Sequence, residues 1–139
     1  MENVEVILTP MTNAPGYYHN EREERLPSSV AAKVGKKSLD INRDFPYNQE
    51  TRGNCLNTKA SRIVYSIFTK NSIQASLTFH GGDNVIGYPW GSFNWSKKSS
   101  YSHYKGYMPP DYHSFSKVAR VLKKKSGQVD FGHSQSYNA

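Results

Sequence analysis

Two segments of this chain hold residues that could do chemistry: Asp40-Ile41-Asn42-Arg43-Asp44-Phe45-Pro46-Tyr47 and Leu77-Thr78-Phe79-His80-Gly81-Gly82. The first sets an amide and a guanidinium side by side in a loop. Arg presents a planar fork of donors that matches a carboxylate, and Asn adds another donor, so the pair can clamp a free carboxylate. The second ends a β-rich apolar run on a histidine followed by two glycines. An imidazole at a strand end, with no bulky neighbour after it, is well placed to ligate a metal. A carboxylate clamp and a metal ligand in one chain point to an enzyme that trims peptides from the carboxyl end. Each feature also has a plainer reading: an Asx-turn residue beside a surface Arg, and a histidine that is only structural.

These residues need elements to position them. Val4, Val6 and Leu8 alternate with their neighbours and predict a strand, and Ile7 makes the run apolar on both faces. Pro10 to Gly16 is rich in turn formers, and Glu21 to Arg25 is a charged stretch that leads into a Ser- and Lys-containing loop to Lys37. From Asn57 to Lys70, Ala60, Ile63, Val64, Ile67 and Phe68 follow the spacing of one helix face, with Asn57 or Thr58 as the cap. Ile73 to Phe79 predicts a buried strand, and Val85-Ile86 a short extended piece. Ser92 to Pro110 lacks periodicity and predicts a long loop. Asp111 to Lys125 predicts a second helix with Phe115, Val118, Ala119 and Leu122 on one face. Strands alternating with helices give an α/β class, a partial mixed β-sheet flanked by helices.

Composition narrows the function classes. The 139 residues set a prior of one domain, and a 36% hydrophobic content suffices for a core. No run approaches the roughly 18 apolar residues of a membrane span, and MENVEVILTP is not a signal peptide. The net charge of +7 invites a nucleic-acid partner, but Lys36-Lys37, Lys97-Lys98 and Lys123-Lys124-Lys125 lie far apart, which favours a solvated surface. Cys55 is the only cysteine, so no internal disulfide forms, and it reads as a small packed residue rather than a nucleophile. Asn94-Trp95-Ser96 is a glycosylation sequon, of consequence only in a secreted protein.

Three segments in order carry a resemblance. Val4 to Gly16 is similar to a strand and Asn-Pro-x-Gly-like turn, Asp40 to Tyr47 to a D-x-N-R-[ND]-[FW] motif, and Leu77 to Ser92 to a ligand-bearing strand followed by YP-x-G. Together they resemble part of a zinc carboxypeptidase of the funnel-type metallocarboxypeptidase family. The resemblance implies that His80 is the third zinc ligand and that Asn42 and Arg43 hold the substrate's terminal carboxylate. It implies an upstream Arg that stabilises the oxyanion, for which Arg22 and Arg25 are candidates, Arg22 slightly favoured. Tyr88, with Pro89, Trp90 and Gly91, shapes the wall near the metal, where the Tyr88 ring either contacts substrate as a binding residue or packs the core. His103, His113 and His133 have no supporting context, and Asp83 is a weak candidate for a second ligand.

The resemblance also implies what is missing. The family's His-x-x-Glu ligand pair is absent, because no His here has a Glu three residues on. Its catalytic Glu lies beyond this chain. The expectation is therefore an internal part of a catalytic domain, residues 1–139, that hydrolyses the last peptide bond when complete with one zinc ion and is inactive alone. The alternative is a metal-free pseudoenzyme or carboxylate-binding module. An unrelated basic binding protein would instead show salt-sensitive association with polyanions. The expected partners are peptide or protein C-termini, with no nucleic acid and no membrane segment in this chain. Neither compartment nor side-chain preference is readable.

Overall fold

In a computed structural model, the described residues are 4–46, 55–81, 84–90, 95–99, 103–126 and 130–133. Tyr47, Gly82, Asp83 and the Gly91–Asn94 part of the wall and sequon lie outside them. Backbone contacts divide the chain into two units, Met1–Ala75 and Ser76–Ala139. The class is mixed α/β.

In the first unit, helix α1 (Ala14–His19) opens on Asn13, whose Oδ1 accepts the Gly16 N–H at 3.1 Å. Gly16 is there because there is no room for anything larger: a Cβ would lie 2.1 Å from Asn13 Nδ2 and 2.5 Å from the Glu21 carbonyl. Strand β1 (Glu24–Arg25) pairs antiparallel with β2 (Ser38–Leu39). Between them lies α2 (Ser28–Val34), where the charge and serine content predicts a loop. Pro27 precedes this helix and Gly35, at φ 73°, ends it in the left-handed conformation, so the segment carries ordinary start and stop signals. A 3-10 turn (Ile41–Arg43) follows, and then α3 (Lys59–Lys70), which matches the expected helix, with Thr58 as its cap.

Two expected strands do not form among the described residues. Val4, Val6 and Leu8 join no sheet and are exposed, and so are Leu77 and Phe79. Their sequences favour extended backbone, but a strand also needs a partner edge to satisfy its N–H and C=O groups.

In the second unit, β3 (Val85–Tyr88) pairs in parallel with β6 (Asp130–His133), and α4 (Tyr112–Ser126) packs on both. The buried line of α4 runs through Ser116 and Ala119, whereas Val118 is exposed; the packed face is turned slightly from the predicted one. Lys123, Lys124 and Lys125 fall in its last turn, where cations suit the helix dipole. Strands β4 (Ser96–Ser99) and β5 (His103–Gly106) form an antiparallel pair inside the expected loop, a hairpin that its Tyr, Ser and Lys content hides. Among the described residues, no helix is long and apolar enough to cross a membrane.

Candidate functional site

The N-terminus of α3 organises the clamp segment. The first N–H groups of any helix lack intrahelical acceptors. Here Glu24 accepts those of Lys59 at 2.6 Å and Ala60 at 2.9 Å, and Thr58 Oγ1 accepts that of Ser61 at 3.1 Å. Just before the helix, Asp44 Oδ1 accepts the Asn57 N–H at 3.0 Å, and Oδ2 accepts the Thr58 N–H at 2.7 Å and the Ser61 hydroxyl at 2.6 Å. Two carboxylates from distant parts of the sequence thus converge where the helix dipole favours negative charge. One carboxylate is two residues after Arg22 and the other is next to Arg43.

Asp44 is 1% exposed. Burial by itself raises its pKa, but the hydrogen bonds from Ser61, Asn57 and Thr58 outweigh that and hold the carboxyl below its ordinary value. It therefore stays ionised in a closed site. The backbone reinforces the link, because the Asp44 carbonyl accepts the Leu56 N–H at 2.7 Å. Leu56 sits at φ 57°, in the left-handed region, and Arg62 donates to its carbonyl at 3.1 Å and to that of Asn57 at 2.8 Å. A leucine there is strained by about 1 kcal/mol, and these hydrogen bonds hold it in place.

Asn42 and Arg43 sit on the exposed 3-10 turn. The plainer reading made Asn42 an Asx-turn residue. Instead, Asp40 makes that turn: its Oδ1 accepts the Asn42 N–H at 3.0 Å. The Asn42 side-chain amide has no hydrogen-bond partner among the described residues, and Arg43 Nη1 donates only to the Asn42 carbonyl, at 3.2 Å. Both side chains can therefore reach a ligand carboxylate.

The two upstream arginines differ. Arg22 Nε donates to Asp40 Oδ2 at 2.8 Å, so the carboxylate that braces the Asn42-Arg43 turn also orients Arg22, whose two Nη groups have no partner among the described residues. Arg25 instead forms a two-pronged pair with Glu21, Nη2 to Oε1 at 2.5 Å and Nε to Oε2 at 3.1 Å. Hydrogen bonding within that exposed pair lowers the Glu21 pKa and raises that of Arg25.

His80 lies in the second unit and is exposed, its Nδ1 2.7 Å from the Gly81 carbonyl. That contact suits a protonated Nδ1 and leaves Nε2 as the free lone pair. Among the described residues, no three His, Cys, Asp or Glu side chains come together as a metal site. A catalytic zinc takes three protein ligands and a water, so the donor set described here does not by itself fit the ion. Tyr88 is buried in its unit, its ring stacked on Phe115 at 6.2 Å and tilted against Tyr112 at 6.2 Å. Burial, and then the neighbouring Tyr112, raise its pKa. Trp90 stacks on Trp95 at 5.3 Å. His113 is exposed on α4, where its ring meets Tyr112 edge-on at 5.5 Å. Cys55 is half-buried.

The model of the zinc carboxypeptidase family matches residues 1–139. The chain belongs to the zinc carboxypeptidase family. No curated protein and no solved structure matches it. Zinc carboxypeptidases are metallopeptidases that act on peptide C-termini, and this chain is of that hydrolase type. Sequence reading missed Asp44 and Glu24 as the residues that hold the clamp turn and β1 on α3. An acid next to Asn-Arg was visible, but its partners lie 13 to 17 residues away, and those of Glu24 lie 35 and 36 away.

Proposed function

We propose that the chain is part of a metallocarboxypeptidase catalytic domain that hydrolyses the C-terminal peptide bond, and that its own residues do the positioning. Asn42 and Arg43 hold the substrate's free carboxylate. The fork of Arg43 takes both oxygens and the Asn42 amide adds a third donor, which fixes the peptide bond that is presented for cleavage. Arg22, rather than Arg25, stabilises the developing oxyanion. The observation that carries this reading is the Asp40 carboxylate, with one oxygen on Arg22 and the other on the Asn42 backbone. It joins Arg22 to the clamp turn, whereas Arg25 is engaged by Glu21.

His80 contributes one zinc ligand, and Tyr88 stiffens the wall near it through its packing on α4. One imidazole is too few for a catalytic zinc, so these 139 residues bind and orient substrate without turning it over. The alternative reading is a metal-free carboxylate-binding module that keeps the Asn42-Arg43 clamp.

The test is to offer the chain a peptide with a free C-terminal acid and the same peptide as an amide, with and without zinc. Preference for the acid and no cleavage, with zinc or without it, is the expected result. Release of the last residue would overturn the partial-domain reading, and equal binding of acid and amide would overturn the clamp.

A further inference from the structure

Resting on that reading of the clamp, we infer that Asp44 is a positioning residue for carboxylate recognition, locking the Asn42-Arg43 turn onto the first turn of α3. Asp44 directly follows Arg43, so the backbone that carries the guanidinium cannot shift without moving this carboxylate. Both of its oxygens are used. Oδ1 serves the Asn57 backbone and its side-chain amide, at 3.0 and 3.3 Å, and Oδ2 serves Thr58 and Ser61. The Ser61 hydroxyl is also fixed from the other side, accepting from Thr58 Oγ1 at 2.8 Å. Asp44, Asn57, Thr58 and Ser61 are all buried, although Asn42 and Arg43 are exposed. The ligand-facing groups thus stand on a closed polar base.

Although the motif accepts Asn as well as Asp at this position, in this chain every group that faces the Asp44 carboxylate among the described residues is a donor. An amide in its place would put a second donor against either the Asn57 or the Thr58 N–H, so Asp44→Asn should displace the turn while nearly keeping the volume. A purely structural role would lower stability and leave the choice between acid and amide intact. A positioning role changes that choice.

The experiment compares binding of an acid-ended peptide and its amide by the full chain and by Asp44→Asn, with helix content and thermal midpoint recorded for each. The expected result is an acid-over-amide preference reduced about 10-fold, the scale of one charge-assisted hydrogen bond, with helix content retained. If Asp44→Asn does not fold, Ser61→Ala removes one donor only, and a preference reduced about 3-fold is then expected. An unchanged preference in whichever variant folds overturns the positioning role. Absence of any preference in the unsubstituted chain defeats the clamp reading itself, and this inference with it.

Discussion

The clamp segment and the His80 segment are built in opposite ways. Around Asn42 and Arg43, the supporting groups are buried, and the first-turn donors of α3 are met by Glu24 and Thr58. Around His80, the backbone joins no sheet among the described residues, and Phe79 is 93% exposed. The difference shows which of the two segments this chain braces with its own residues. The supporting partners of the Asn42-Arg43 turn lie within one unit, whereas among the described residues no three metal-ligating side chains come together.

The strongest way to break this contrast is to remove one residue from each region. Asp44→Ala strands the buried N–H groups of Asn57 and Thr58 and takes one acceptor from the Ser61 hydroxyl, and should destabilise the first unit by about 3 kcal/mol. His80→Ala should change stability by less than about 0.5 kcal/mol. Urea unfolding of the two variants, followed by helical circular dichroism, reads both. Comparable losses would mean that the His80 segment is as firmly held as the clamp.

Acid sharpens the same contrast. The pKa of Asp44 is lower in the folded chain, so its contribution is complete above the ordinary carboxylate pKa and is lost as pH falls through the folded value. Stability should therefore fall on acidification below about pH 4. In Asp44→Ala that acid limb should be shallower, and a pH series of urea midpoints shows whether it is.

A smaller effect is expected at Glu24. Glu24→Gln keeps an acceptor but loses the charge at the helix N-terminus, and should cost about 1 kcal/mol, read from the same denaturation curves. The smallest is expected at the exposed pair. Arg25→Ala should leave stability and carboxylate preference unchanged, because a solvated ion pair contributes little. Arg22→Ala should weaken binding of a tetrahedral phosphonate analogue of the scissile bond. A phosphonate titration of both variants decides between the two arginines.

What the sequence made legible follows from how local each signal is. Helix α3 was readable because its apolar spacing and its Thr58 cap lie within one segment. The α/β class followed from alternation of elements. The strand readings at Val4–Leu8 and Ile73–Phe79 failed because pattern records a preference for extended backbone, whereas a strand requires a second edge. Helix α2 was legible in principle, between Pro27 and Gly35, but its serines and charges masked it. In the site, Asn42 and Arg43 were visible as a motif. The roles of Asp44, Glu24 and Asp40 were not, since each depends on which distant donor the fold brings to a carboxylate.

The most direct test of the central claim is to measure affinity for an acid-ended peptide and its amide in the unsubstituted chain, Arg43→Ala and Arg43→Lys. The account predicts a preference for the acid that Arg43→Ala abolishes and that Arg43→Lys restores only in part, because an ammonium cannot make the two-pronged contact. A preference for the acid that survives Arg43→Ala undiminished would contradict it.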